Sequence, residues 1–351
     1  MRRLSLGVFL VLVACSTPAV TTTQSTDTNT TSVPITTTSA APATATTTTV
    51  VAGVASPLNG MLVTDETLLA RRVLAVKIDN HPRSRPQSGL DLANAVIELP
   101  VEGITRFIAL FHDTDTTYLG PIRSGRPSDG KLLNPLDATF AISGGQPWVQ
   151  QLIRAEDIHL IGETHPAMFR VSGRSAPHNL YGDTLQLREI ADGRDYPNDP
   201  PPAMFAFGAL PDTAQAATQI AMDFGNNFVV TWNWDDAGSN YVRNFGGSPA
   251  ELMDQAGARH PLTAQTLVVI LAERYVEQPP SGEGSAVPAM NTVGTGEAYV
   301  FAGGQMITGT WQRETSADLI TLTADDGSPL PVPPGYLWIS IVPNQFGIDF
   351  S

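Results

Sequence analysis

The feature that most restricts how this chain can fold is a long tract with almost no charge. Residues 16–56 consist mainly of Thr, Ala, Ser, Pro and Val, with a single aspartate and no aromatic residue. Such a composition cannot bury enough apolar surface to offset the entropy lost when the backbone is ordered. We therefore expect residues 15–56 to be a disordered tether and the folded part to begin near residue 57.

A short apolar run precedes this tract. It extends from Leu4 to Val13, follows two arginines, and is too short to cross a bilayer, which is typical of a signal-peptide core. The run ends in Leu12-Val13-Ala14-Cys15, which resembles the bacterial lipobox, where cleavage precedes a lipid-modified cysteine. The alternative is an ordinary signal peptide that happens to contain a cysteine. We expect a lipoprotein signal peptide over residues 1–14, lipidation of Cys15, and an extracytoplasmic protein anchored to the outer face of the cell membrane.

Composition excludes several classes of protein. The 351 residues include 20 Lys+Arg against 34 Asp+Glu, for a formal net charge of −14, which argues against nucleic-acid binding. A chain with one cysteine has no disulfide framework and no multi-cysteine zinc or iron–sulfur site. The sequence contains no HExxH, GxSxG or P-loop pattern. We therefore expect no nucleic-acid partner, no cofactor and no metal.

The first folded part, residues 57–205, mixes strand and helix patterns and is predicted to be an α+β (or α/β) domain. Ser88 is expected to cap a short helix, and Pro100 to stand at a strand end because it lacks an N–H. Strands are predicted at 73–78, 95–99, 105–111 and 138–143, and helices over 148–153 and 185–190.

The second part, residues 206–351, is predicted to be an all-β antiparallel domain after one short helix, with Asp212 as its N-cap and Gly225 as its end. Short strands separated by Gly-containing turns favour a sandwich or a partly closed barrel. The predicted strands are 228–234, 241–245, 267–276, 298–301, 306–311, 319–323 and 336–342.

Arginines occupy several loop positions of the first part, although the chain is acidic overall. Only two of the 20 basic residues are lysines, and the planar fork of Arg binds carboxylate or phosphate in a bidentate manner. Arginines that pair with neighbouring carboxylates are the alternative. The predicted anion site comprises Arg85, Arg106, Arg123, Ser124, Arg126, His178 and Asn179.

Three carboxylates stand near predicted strand ends and are candidates for catalysis. Asp79, Glu98 or Glu102, with His178, could perform acid–base chemistry on a glycan if burial or like charge raised one pKa. With His81 or His178 they could also hold a divalent cation. The spacing does not choose between these roles.

Five motifs that follow one another in order resemble the YerB-type bacterial lipoproteins, a family built around a domain of unknown function. They are Val76-Lys77-Ile78-Asp79-Asn80-His81-Pro82, Arg85-Pro86-Gln87-Ser88-Gly89-Leu90, Glu102-Gly103-Ile104-Thr105-Arg106, Gly120-Pro121-Ile122-Arg123-Ser124-Gly125-Arg126 and Ala176-Pro177-His178-Asn179-Leu180. Tyr241-Val242-Arg243 and Thr308-Gly309-Thr310-Trp311 resemble the separate β-rich C-terminal part of that family, whereas His260 departs from it in having no acidic neighbour. The resemblance implies a two-part envelope lipoprotein in contact with wall-synthesis proteins, and it brings no established reaction.

Together these observations favour a membrane-anchored, non-catalytic module that binds a cell-wall polymer or a wall-synthesis protein through an anion site lined by Arg, His and Asn. The alternative is a hydrolase or transferase that acts on a cell-wall glycan or an anionic wall polymer, with one of the carboxylates as acid or base.

Overall fold

The structure, a computed structural model, describes residues 53–351, in which strands are the predominant elements. The strands up to residue 205 are β1 (Val54–Ala55), β2 (Leu62–Val63), β3 (Leu74–Ile78), β4 (Ala95–Pro100), β5 (Thr105–Phe111), β6 (Thr139–Ala141), β7 (His159–Ile161), β8 (Met168–Arg170) and β9 (Leu180–Gly182). The later strands are β10 (Gln215–Ala216), β11 (Gln219–Asp223), β12 (Val229–Asp235), β13 (Asn240–Phe245), β14 (Ser248–Pro249), β15 (Glu251–Met253), β16 (Arg259–Pro261), β17 (Thr263–Ala264), β18 (Thr266–Ala272), β19 (Arg274–Glu277), β20 (Val287–Met290), β21 (Gly294–Ala302), β22 (Gln305–Arg313), β23 (Thr321–Thr323), β24 (Leu337–Pro343) and β25 (Ile348–Phe350). The α-helices are α1 (Pro127–Leu133), α2 (Pro147–Ala155) and α3 (Thr184–Asp192), and short 3-10 helices lie at Glu66–Ala70, Pro82–Ser84, Leu90–Leu92 and Asn134–Leu136.

An eleven-stranded mixed sheet runs through the centre in the order β10-β22-β21-β18-β24-β4-β5-β3-β6-β7, with β23 beside β22. At its middle, β24 is parallel both to β18 and to β4, so that Ile339 lies opposite Val268 on one side and Ile97 on the other. Strands from both sides of residue 205 therefore pair within one sheet.

Side chains on the two faces of this sheet enter two separate cores, because successive residues of a strand point to opposite faces. Along β24, Ile339 packs in a core with Trp148 of α2, whereas its neighbour Trp338 packs in the core on the opposite face. A six-stranded sheet, β14-β13-β12-β11-β25 with β17 beside β13, contributes Trp232 to this second core. The rings of Trp232 and Trp338 meet edge to face at 5.3 Å between centroids.

Most of the predicted elements are present. The α+β character of the first part and the β-rich character of the second are confirmed, as are the helices α2 and α3 and the strands that pair as β4/β5, β12/β13 and β21/β22. Within the second part every strand pair is antiparallel except β18 with β24. The sequence pattern did not indicate α1.

The helix predicted after Asp212 is wrong, because this segment forms strands β10 and β11. Ile220 and Met222 are buried while their neighbours are not, which is the period of a half-buried strand. Ser88 does not cap a helix either, since its hydroxyl donates to the carbonyl of Met253 and Gly89 precedes the 3-10 turn. The long strand predicted over 267–276 ends at Ala272, where the chain leaves the central sheet.

Candidate functional site

The loop that follows β3 carries the first part of the candidate site. Asp79 stands directly after the strand, with its backbone N–H donating to the carbonyl of Pro121 at 2.8 Å. A 3-10 turn at Pro82–Ser84 then reverses the chain, and the Nδ1 atom of His81 caps it by accepting the N–H of Arg83 at 3.1 Å. Proline at the start suits such a turn because its missing N–H needs no partner there. The turn brings the Ser84 hydroxyl back to Asp79.

Asp79, Ser84 and His178 form a compact hydrogen-bonded group. The hydroxyl of Ser84 donates to Oδ2 of Asp79 at 2.6 Å, and Nδ1 of His178 lies 2.7 Å from the same oxygen. An ionised carboxylate only accepts hydrogen bonds, so the imidazole carries a proton on Nδ1 and donates it. Ser84 Oγ also lies 3.0 Å from this nitrogen, but both groups point their protons at the carboxylate.

The surroundings keep Asp79 ionised. Burial raises its pKa, but the hydrogen bonds from Ser84 and His178 and the positive charge of Arg106 outweigh burial, and the net pKa is below its ordinary value. The ring of His81 stacks on that of His178 at 4.3 Å. Burial and the neighbouring His178 lower the pKa of His81, which is therefore neutral near pH 7.

Two polar groups beside this carboxylate remain without a protein partner among the described residues. Nε2 of His178 makes no hydrogen bond and is not sealed from solvent. Arg123 is 22% exposed, its Nε lies 3.6 Å from Oδ2 of Asp79, and its terminal nitrogens make no hydrogen bond and are not sealed. The two side chains thus flank one carboxylate oxygen. Arg123 presents N–H groups that can bind an anion, and Nε2 of His178 presents a lone pair that can accept a hydroxyl of the same ligand.

Two further predicted arginines lie next to this group but are already engaged. Arg126 forms a bidentate pair with Glu102, with nitrogen–oxygen distances of 2.7 and 2.9 Å. Arg106 is buried, donates to the backbone carbonyl of Ser124 at 3.1 Å, and stands 3.8 Å from Glu102. Ser124 thus contributes its backbone, and Glu102 is an ion-pair partner.

The charges around the group do not balance. Arg106, Arg123, Arg126 and Arg174 supply four guanidinium groups, whereas Asp79 and Glu102 supply two carboxylates. Arg174 donates only to the backbone carbonyls of Ser84 and Pro86. The site is therefore locally positive in an acidic protein.

Glu98 lies in a different, sealed network. Its side chain is fully buried and accepts hydrogen bonds from Arg243 at 2.6 Å, Trp338 at 3.0 Å and Thr105 at 2.6 Å. It has no route to a ligand in this arrangement. The sequence pattern assigned no role to Arg243. This residue nevertheless points inward from β13 together with Tyr241, and an arginine at an inward-facing strand position indicates a buried ion pair.

Arg85 and Asn179 are also turned away from the Asp79 group. Arg85 donates to the side chain and the backbone carbonyl of Asn80, both at 2.9 Å. Asn179 accepts from Arg170 at 2.9 Å and donates to two backbone carbonyls. Of the predicted site residues, the structure brings together Asp79, Arg123 and His178, and it adds Ser84.

Within residues 53–351, no group of three or more His, Cys, Asp or Glu side chains is placed to hold a metal ion. In the same range, no helix has both the length and the apolar character needed to span a bilayer. The predicted signal peptide, the lipidation site at Cys15 and nearly all of the predicted tether lie outside the described residues.

These observations define an α+β protein in which one mixed sheet, covered by helices and a second sheet, carries a polar loop site beyond the end of β3. The chain belongs to a family described as "Protein of unknown function (DUF3048)", whose N-terminal domain matches residues 58–197 and whose C-terminal domain matches residues 220–339.

Two comparisons, both with the YerB protein of Bacillus subtilis, agree with this assignment. "Putative lipoprotein YerB" of strain 168 is 28% identical over 306 residues, which cover 84% of this chain and 88% of that protein. The crystal structure of YerB protein from Bacillus subtilis has a TM-score of 0.71 and 27% identity to this chain, and the match covers 84% of this chain and 99% of that one.

Proposed function

We propose that this protein is a lipoprotein anchored to the outer face of the bacterial membrane, where it binds an anionic group of a cell-wall polymer or of a wall-synthesis protein. The lipobox-like segment ending in Cys15 supports the location, as does the relative that is named a lipoprotein. Arg123 and His178 would be the binding groups, with Asp79 as the positioning residue that fixes the imidazole.

The observation that carries this proposal is that the terminal nitrogens of Arg123 and Nε2 of His178 have no partner among the described residues, while both side chains lie against the carboxylate of Asp79. The site has two more guanidinium groups than carboxylates, and this excess of positive charge strengthens the attraction of the site for an anion. The overall charge of −14 does not cancel this attraction, because screening limits distant charges to a range of about 8–10 Å at physiological salt.

Calorimetric titration of the full-length protein in detergent with inorganic phosphate, and then with poly(glycerol phosphate), tests the proposal. Arg123→Gln should weaken binding about tenfold or more, the loss expected for a charged hydrogen bond. Arg154→Gln is the matched control, since Arg154 is an exposed residue of α2 outside the site. Equal binding by the wild type and Arg123→Gln, or an equal loss in the control, would contradict the proposal.

A second candidate function is hydrolysis or group transfer on a wall glycan or an anionic wall polymer. It is favoured by the Asp79–His178 hydrogen bond, because a carboxylate that holds Nδ1–H leaves Nε2 free to accept a proton. Ser84 is fully buried and bonded to Asp79, so the nucleophile would be water.

Incubation of the purified protein with defined muropeptides and with poly(glycerol phosphate) tests this second function. Turnover that His178→Gln abolishes and Arg154→Gln retains would support it. Absence of product from either substrate class would reject it and leave the binding function standing.

A further inference from the structure

A pocket lies on the other side of the loop that follows β3. It has a volume of about 200 Å³ and opens between this loop and the hairpin of β13 and β14. The residues that line it are Asn80, Arg85, Gln87, Arg243 and Phe245, together with residues 248–251. The pocket therefore combines arginines from both halves of the sequence.

Arg85 is held rigidly at one wall of the pocket. Its Nε and Nη2 donate to Asn80, and its guanidinium lies 4.3 Å from the ring centroid of Phe245. Gln87 donates to the same Asn80 side chain at 3.1 Å and so fixes the acceptor. Nη1 of Arg85 makes no hydrogen bond among the described residues and is not sealed from solvent. The fork is therefore fixed by two contacts while one nitrogen remains available.

Arg243 supplies the second donor. It is only 2% exposed, and its Nη2 donates to Glu98 at 2.6 Å. Neither Nε nor Nη1 of Arg243 has a hydrogen-bond partner among the described residues. Nε is buried away from solvent, whereas Nη1 is accessible to it. Because a guanidinium has five N–H donors, several donors of Arg243 remain unsatisfied within the protein. Only Nη1 can be reached by a ligand oxygen, so Arg243 offers one accessible donor to the pocket.

The pocket also has an unbalanced charge. Glu98 compensates Arg243, and Glu251 at the rim pairs with Arg259 at 3.1 Å. Arg85 forms no ion pair within the described residues. Burial and the neighbouring Arg243 lower the pKa of Arg85 to about 10, so it is still a cation at neutral pH.

We propose that this pocket binds one oxyanion, a phosphate or carboxylate group, between Arg85 and Arg243. The proposal does not rest on the Arg123–His178 site, because it uses different donors and a different opening. The same loop, however, contributes to both sites: Asp79, His81 and Ser84 face one, and Asn80, Arg85 and Gln87 belong to the other. A polymer with repeated anionic groups is the ligand class that suits two such sites.

Equilibrium dialysis of the full-length protein in detergent with labelled inorganic phosphate tests the pocket. Arg85→Gln removes one donor, and Ser248→Asp adds a carboxylate at the rim without changing either arginine. Both should weaken phosphate binding at this pocket about tenfold or more. Ser281→Asp, at an exposed turn elsewhere, is the control with the same change of charge. Using Ser248→Asp avoids truncating Arg243, whose loss would leave Glu98 buried and unpaired.

The outcomes separate this pocket from the Arg123–His178 site. Phosphate binding that Ser248→Asp and Arg85→Gln weaken but Arg123→Gln does not alter supports the pocket, even if the other site fails. Binding that is unchanged in both pocket variants, or that the Ser281→Asp control weakens equally, overturns it. Displacement of phosphate from the pocket by glycerol 3-phosphate and not by acetate would indicate a phosphate ester, and the reverse would indicate a carboxylate.

Discussion

The carboxylate of Asp79 and the imidazole of His178 are joined by a 2.7 Å hydrogen bond, although 99 residues separate them in the chain. The segment between β5 and α1 brings them together. Its Pro121 accepts the N–H of Asp79, and the next residue, Ile122, donates to the carbonyl of Leu180 at the start of β9. One connecting segment thus sets the position of both partners.

The pKa of Asp79 leads to a prediction about acid stability. Because the folded pKa lies below the ordinary value of 3.8, the folded state binds fewer protons than the unfolded state between the two values. The stabilisation is therefore complete above the unfolded pKa and is lost as the pH falls through the folded pKa. Asp79→Asn should show a smaller fall in unfolding free energy between about pH 5 and about pH 3 than the wild type.

Urea denaturation at several pH values, followed by tryptophan fluorescence, measures this difference. Asp199→Asn is the control, since Asp199 is exposed to solvent in the connection after α3. Identical acid slopes for Asp79→Asn and the wild type would show that Asp79 does not contribute as argued.

Arg123 should matter little for stability. The Nε atom of Arg123 stands 3.6 Å from Oδ2 of Asp79. The side chain is partly exposed and makes no hydrogen bond to the described residues. Such a pair contributes roughly 0–1 kcal/mol, so Arg123→Ala should reduce the unfolding free energy by no more than about 1 kcal/mol. A loss of about 3–5 kcal/mol in the same denaturation assay would instead identify Arg123 as the essential counter-ion of Asp79.

The anchor proposed at Cys15 predicts a change of location. Several acyl chains hold a protein on a membrane far more firmly than one does, so Cys15→Ser should move the protein from the membrane fraction to the soluble fraction. Fractionation with a high-salt wash, followed by immunoblotting, gives the measurement, and Ser16→Ala is the neighbouring control. Retention of Cys15→Ser in the washed membranes would rule out lipidation as the attachment.

The sequence pattern predicted the strands of the hairpins β4/β5, β12/β13 and β21/β22 because apolar runs and Gly turns are local signals. It misjudged Gln219–Asp223, since this short segment becomes a strand by pairing with β12 on one side and β25 on the other. Strand β12 follows directly in the sequence, but β25 lies far from this segment, and pairing on both sides decided the structure against the local preference.

The same reason limited the prediction of the site. Asp79, Arg123 and His178 were each recognised as polar residues in loops, and the structure places them together. Glu98 was grouped with them because it stands near a strand end, but β4 is a central strand whose residues are buried on both faces. A carboxylate in such a strand needs an internal cation, and Arg243 comes from the other half of the sequence.

The Glu98–Arg243 pair should be strongly coupled. Both side chains are buried, at 0% and 2% exposure, and their hydrogen bond is 2.6 Å long. Arg243→Met should cost about 3–5 kcal/mol because it leaves a buried carboxylate without its cation. Glu98→Gln combined with Arg243→Met should be more stable than Arg243→Met alone, since glutamine removes the buried charge and its amide oxygen can still accept from Trp338. Additive effects in a double-mutant cycle measured by urea denaturation would contradict this coupling.

The shared central sheet predicts how the two parts respond to a break in the chain. Strand β24 lies between β18 and β4, and its Ile339 packs against Ile97 of β4 and Val268 of β18. A protease site inserted between Asp199 and Pro200, which are both exposed, cuts the connection without touching this sheet. We expect the two fragments to co-elute at the size of the uncut protein in gel filtration and to unfold in one transition, because separation would expose the apolar edges of β4 and β24 to water.

The uncleaved insertion variant controls for the added residues. Two folded fragments that separate would show that residues 57–205 and 206–351 are independent domains, since each would then keep its structure without the pairing between β4 and β24.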